Sequence, residues 1–155
     1  MTLLKLTDNN FSPSLEEPLQ EVTLEDWREA PQNHEGATAL VISNDVSVLE
    51  LDDDLDAFDV IILDFPKFAD GRAYSQGRLL RQRLGYTGEI RARGNVLRDQ
   101  IFFMVRCGFD AFEFDGQSSD EANAALREFT FVYQPAANGQ SPVWRLRKER
   151  AAAAA

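Results

Sequence analysis

The chain has 155 residues, 44% of them apolar, and a formal net charge of −10. That length suits one domain with a real core. No apolar run approaches the roughly 18 residues of a membrane span, and MTLLKLTDNN lacks the apolar stretch of a secretory signal. A single Cys excludes an internal disulfide framework. With a single His, it also excludes the usual zinc and iron–sulfur ligand sets. A cytoplasmic protein with no cofactor and no metal is expected.

The charge is unevenly spread. Residues 1–64 carry 2 basic and 16 acidic side chains, a balance of −14, whereas residues 65–115 carry 9 basic and 6 acidic, a balance of +3. An acidic half repels nucleic-acid backbones, so nucleic acid is not an expected partner. The acidic half is either a solvated surface or a docking face for a basic protein.

In chain order, residues 1–35 are interrupted by Pro13, Pro18 and Pro31 and read as a loosely organised N-terminal segment. Only Leu24 to Ala30 resembles a short helix there, capped by Thr23. A single α/β domain is expected over residues 36–134. Ala37 to Ser43 reads as a buried strand, and VSVLELDDDLDAF is ambiguous between strand and helix. Val60 to Leu63 is a β-rich run that opens the most informative segment, Asp64 to Phe114. There an apolar strand, a polar loop and an apolar helix occur twice in succession, the grammar of a βαβαβ unit. The first helix is expected after Ser75, with Gly85 as a left-handed end. Gly88 to Arg93 forms the next strand, with Ile90 and Ala92 on one face. A second helix is expected from Asn95 to Gly108, and Phe109 to Phe114 forms another strand. Phe102 and Phe103 make that helix apolar nearly all round, which fits burial between layers or a homodimer interface. Ser118 to Phe131 reads as a further helix and residues 135–155 as a flexible tail. The fold class is α/β: a short, mainly parallel sheet with covering helices, similar to part of a (βα) barrel.

In such sheets ligands bind at the carboxyl ends of the strands. Lys67, Arg72 and Arg93 fall there, with Ser75 and Asn95 as expected helix starts, and together they form a candidate anion site. The alternative is that Asp64 and Asp70 pair with these cations and brace the loop. Asp64, Lys67, Asp70 and Tyr74 are the candidate catalytic groups. Pro66 stiffens the strand exit and Gly71 suits a special backbone conformation. Cys107, near the end of an apolar helix, reads as a structural thiol; His34 is given no role. Neither GxGxxG nor GxxxxGK[ST] is present.

DFPKFADGRAYSQGRLLRQRLGYTGEIRARGNVLRDQIFFMVRCGFDAFEF resembles a bacterial domain-of-unknown-function family encoded beside assimilatory sulfite reductase genes. Its members are described as oxidoreductases of sulfite reduction. The blocks FPKF-DGR-YS, GYTGE-RA and LRDQ-FF-RCGFDAFE, within residues 58–115, carry the resemblance. Gly77 and Asn95 stand where the pattern has Ala and Asp, which should loosen a helix and remove a carboxylate. The resemblance implies a place in sulfur assimilation. A redox enzyme needs a carrier, and no residues here read as holding one. The expected function is therefore an accessory protein with assimilatory sulfite reductase as partner, acting by docking and by oxyanion binding. The alternative is a small independent enzyme using the same strand-end pocket.

Overall fold

The structure, a computed structural model, describes residues 2–15, 19–30, 37–51, 55–67 and 69–153. His34, Pro18 and Pro31 lie outside the described residues. Seven strands form one sheet: β1 (Thr2–Thr7), β2 (Asn10–Ser14), β3 (Gln20–Thr23), β4 (Thr38–Ile42), β5 (Val60–Phe65), β6 (Glu89–Gly94) and β7 (Ala111–Phe114). Their order is β2-β1-β7-β6-β5-β4-β3. β3 to β7 are parallel and each lies beside its successor, while β1 runs antiparallel to both β7 and β2. Successive winding of this kind is the barrel pattern, but β2 and β3 remain edges and the barrel does not close.

Right-handed crossovers between neighbouring parallel strands put every connection on one face. Helices α1 (Leu24–Glu29), α2 (Arg72–Gln82) and α3 (Ile101–Arg106) follow that rule, and α4 (Ser119–Leu126), after the last strand, joins the same core. Leu24, Leu80, Ile101, Met104 and Ala122 from these helices join Leu40, Ile61, Leu63, Ile90 and Phe112 of the strands in one core. Phenylalanine fills much of it: Phe11 meets Phe112 edge-on at 5.3 Å, and Phe112 stacks on Phe114 at 5.7 Å. Each such buried ring contributes about 1.5–3 kcal/mol of transfer free energy. The ambiguous run after β4 forms two 3-10 turns, Val48–Leu51 and Leu55–Ala57, with Val48, Leu51 and Leu55 buried.

The N-terminal residues differ from expectation. Residues 2–23, read as loosely organised, supply three strands. Asp8 and Asn9 both have positive φ (50° and 61°), as a two-residue hairpin turn requires, so β1 and β2 pair tightly. Leu4 and Phe11 enter the core, and Asn123 of α4 clamps β2 by accepting from the Phe11 N–H (2.7 Å) and donating to its carbonyl (2.9 Å). The sheet therefore starts well before residue 36. At the other end, the expected tail contains helix α5 (Val143–Ala153), whose Trp144 indole donates to the Tyr133 carbonyl at 3.1 Å.

Opposite the site, Arg81 of α2 pins the amino ends of the strands. It donates to the carbonyls of Tyr86 and Gly88 (2.7 Å each) and Gly108 (3.0 Å), and pairs with Asp110 at 2.6 Å. Asp110 in turn accepts from the Ile90 N–H at 2.8 Å.

Candidate functional site

Strand alternation sorts the residues of the second face. Ile90 and Ala92 of β6 point to the helices, so Glu89, Arg91 and Arg93 point away from them. The same rule turns Lys5 of β1, Glu21 of β3, Asp64 of β5 and Glu113 of β7 to that side. These side chains form a line of ion pairs. Lys5 Nζ meets Glu89 at 2.8 Å, and Glu89 accepts from Arg91 Nε at 2.8 Å. Arg91 reaches Glu113 at 3.4 Å, and Glu113 accepts from Arg93 Nε at 2.7 Å and Nη2 at 3.1 Å. The far side of the Arg93 guanidinium donates to Glu21 through Nη1 at 2.8 Å and again through Nη2.

The Arg93–Glu21 contact reveals the shape of the face. By ladder register Glu21 is level with Glu89, four residues before Arg93, and three strand spacings separate β3 from β6. On a flat sheet the two would stand roughly 20 Å apart. They touch because the sheet curls, making this face concave. The curl and the ion pairs above it explain why Ala39 and Ile62 are fully buried on a face that α1 to α4 do not cover.

Asp64 and Arg93, both expected at the site, are paired Cα neighbours at the carboxyl ends of β5 and β6. Burial raises the Asp64 carboxyl above its ordinary value; Arg93 opposes this, and Glu113 and Glu21 reinforce it. The Asp64 carboxylate makes no hydrogen bond among the described residues. The hydrogen bond from Arg93 holds Glu21 below the usual range, and its two carboxylate partners raise Arg93 further. Gly94 closes the rim of the site: its φ is +99° and a Cβ there would fall 2.6 Å from the Phe65 carbonyl.

The other expected residues have different surroundings. Asp70 accepts from Arg72 Nε (3.0 Å), Nη2 (2.7 Å) and the backbone N–H (3.3 Å), and Arg72 holds its carboxyl well below the carboxylate range. Helix α2 starts at Arg72, three residues before Ser75, with Gly71 as its cap at an ordinary φ of −83°. Asp70 thus occupies the anion position at this helix start itself. Ser75 is exposed on α2, and Asn95 is exposed with its N–H donating to the Phe65 carbonyl at 2.8 Å. Neither is a helix cap: a 3-10 turn begins at Arg98 and α3 only at Ile101. Lys67 is exposed and makes no ion pair among the described residues. Tyr74 sits against Phe65 on the helix side of β5, opposite Asp64, and burial pushes its hydroxyl up to about 12. Burial likewise raises the Cys107 thiol. Asp70 thus takes up Arg72, Glu113 and Glu21 take up Arg93, and Ser75 and Asn95 cap no helix. No group of His, Cys, Asp or Glu among the described residues is arranged to hold a metal ion.

Comparison with known families agrees with the segment singled out by sequence. The model of a family described as "bacterial protein of unknown function (DUF934)" matches residues 39–144. The chain belongs to this family. No curated protein matches it. The DUF934 span begins in β4, so it contains Asp64, Arg91, Arg93 and Glu113 but not Lys5 or Glu21. Sequence reasoning missed Lys5, Glu21, Glu89, Arg91 and Glu113. A signal existed for three of these positions, because Glu89, Arg91 and Arg93 recur at the two-residue spacing of one strand face. The DUF934 span also runs past residue 134 to Trp144, through a second surface feature. There Phe103, Phe129, Phe131, Tyr133, Trp144 and Leu146 are all exposed. Phe129 packs against Phe102 at 4.8 Å and lies 6.0 Å from Phe103, and Tyr133 borders both this cluster and the surface formed by Phe131 and Leu146, so these side chains form a band. No helix among the described residues is long and apolar enough to cross a membrane.

Proposed function

We propose that this chain is an accessory protein of assimilatory sulfite reduction that acts by docking a partner protein, the sulfite reductase. The observation that carries the docking reading is the exposed aromatic band from Phe103 to Leu146. Large apolar side chains grouped on a surface characterise interaction sites. The resemblance over residues 58–115 supplies the pathway. The strand-end charges fit an auxiliary oxyanion role. Arg93 is engaged by Glu113 and Glu21, of which Glu21 is 45% exposed, so a sulfite or sulfate ion would bind there by displacing the Glu21 carboxylate. The test is sulfite reduction by the purified reductase and its electron donor, with and without a stoichiometric amount of this chain. A clear gain in rate or in electron coupling supports the reading; no gain with an active reductase sinks it.

One observation favours a second reading, a small independent enzyme. Asp64 is a half-buried carboxylate with a raised pKa, beside a guanidinium and open to solvent at the strand ends, where a general acid or base would sit. That reading requires saturable turnover by the isolated chain that Asp64→Asn abolishes.

A further inference from the structure

The aromatic band opens into two adjoining grooves that share Tyr133. One, of about 640 Å³, runs between Phe131 and the face of α5 that carries Leu146, Arg147 and Arg150. The other, of about 320 Å³, is lined by Phe103 and Phe129 and edged by Arg106. The first falls within the size range of sites that take a substantial ligand.

The charge around these grooves runs against the net charge of the chain. The chain as a whole is at −10, yet α5 carries Arg145, Arg147, Lys148 and Arg150 against one carboxylate, Glu149; Arg147, Arg150 and Glu149 line the first groove and Arg106 the second, which leaves the charge there positive. Arg147 and Arg150 make no ion pair among the described residues. Arg145 and Lys148 lie 5.5 and 5.8 Å from the Trp144 ring centroid, stacking their charge on the aromatic surface. An apolar floor with a positive rim recognises a ligand that brings apolar anchors and flanking negative charge. Anionic lipid would also answer to positive charge, but the −14 balance of residues 1–64 repels an anionic bilayer at any orientation that brings that half close.

We infer that the groove between residues 131–133 and helix α5 is the docking site for an acidic protein segment, with aromatic or aliphatic anchors between its carboxylates. The inference rests on the accessory reading only in naming the reductase as the bearer of that segment; the groove chemistry is independent of it.

The probe is a short fluorescent peptide with Leu and Phe at helical spacing flanked by Glu and Asp, and its counterpart with Lys in place of every acid. The full chain should bind the acidic peptide and not the basic one, with affinity falling as salt rises. Reversing two rim charges (Arg147→Glu with Arg150→Glu) should weaken binding by about tenfold or more, chiefly through the association rate. Tyr133→Ser, at an exposed position outside the core, should weaken it through the dissociation rate. Circular dichroism matching the native chain shows that both variants fold. Equal binding of both peptides, no effect of the charge reversal, or preference for phosphatidylglycerol vesicles over the acidic peptide would each overturn the inference. The reductase assay separates it from the accessory reading. Stimulation by the native chain and equally by the charge-reversed variant discards the groove and keeps the accessory role. Peptide binding without any stimulation keeps the groove and discards that role.

Discussion

Glu113→Gln takes one charge out of the middle of the concave-face ion pairs while keeping the side chain's shape. Glu113 is 3% exposed and engages both Arg93, at 2.7 and 3.1 Å, and Arg91, at 3.4 Å. Arg91 is itself 7% exposed, so its charge has little access to water. Removing one member of a buried ion pair typically costs about 3–5 kcal/mol, because the remaining charge stays desolvated. Here the cost falls below that range. Arg91 keeps Glu89, Arg93 keeps Glu21, and the glutamine carbonyl still accepts a hydrogen bond. About 2–3 kcal/mol is expected, which with an m value near 2 kcal/mol/M lowers the urea midpoint by about 1–1.5 M. The control is Glu21→Gln at the exposed end of the same line, where about 1 kcal/mol or less should be lost. Urea titrations of both variants and the native chain, followed by circular dichroism, decide the matter. Equal losses from the two variants, or no loss from Glu113→Gln, would refute a buried, curled face held by these charges.

Two further predictions concern the helix face and the opposite end of the sheet. Gly77→Ala should destabilise by up to about 2 kcal/mol, although alanine gains about 1 kcal/mol over glycine in a helix. The new Cβ would fall 2.7 Å from Cε2 of Phe109, a ring buried against Phe65 at 5.7 Å, and overpacking such a site costs about 1–3 kcal/mol. A raised urea midpoint would show that the ring moves aside freely and that Gly77 merely loosens α2. Burial pushes Asp110 up to about 6, from an ordinary 3.8, against the opposing pull of Arg81 and the Ile90 N–H. Between those values the folded chain binds the extra proton. Asp110's contribution is therefore fully present below about pH 4 and lost as pH rises through about 6. Urea midpoints from pH 4 to 7 should show the native chain losing stability relative to Asp110→Asn over that interval; parallel curves would contradict the shift.

The parts of this fold that were legible in the sequence are those where local pattern and burial agree. Val60 to Leu63 reads as a strand because both its faces are covered, one by the helices and one by the curl. Thr23 reads as a cap because its hydroxyl needs only the Asp26 N–H three residues on. Ser75 suits a cap by residue type, but α2 begins at Arg72, where the Asp70 carboxylate accepts the Arg72 N–H at 3.3 Å. The hairpin was missed for a different reason. Its Asp8-Asn9 turn is a strong signal, but β2 buries few side chains and its proline suggested a break. Pro13 is tolerated because β2 is an edge strand, where a missing N–H donor can face away from the sheet.

The site was half legible for a reason that extends beyond these residues. Asp64 and Arg93 were found because strand ends in α/β chains gather function. Their partners were not, because Glu21 and Arg93 are 72 residues apart and meet only through the curvature of the sheet. Charges at alternate positions of a strand ordinarily mark a solvated face. In a sheet whose parallel strands are wound in succession, however, the crossovers put all helices on one side and leave the other side to curl inward. The alternating Glu89, Arg91 and Arg93 of β6 then cannot all reach water, and each must find an opposite charge on a neighbouring strand. Successive βα units together with a strand of alternating Arg and Glu therefore point to a concave interior with paired carboxylates. By that rule Glu113, at the matching phase of the next strand, is the first partner to look for.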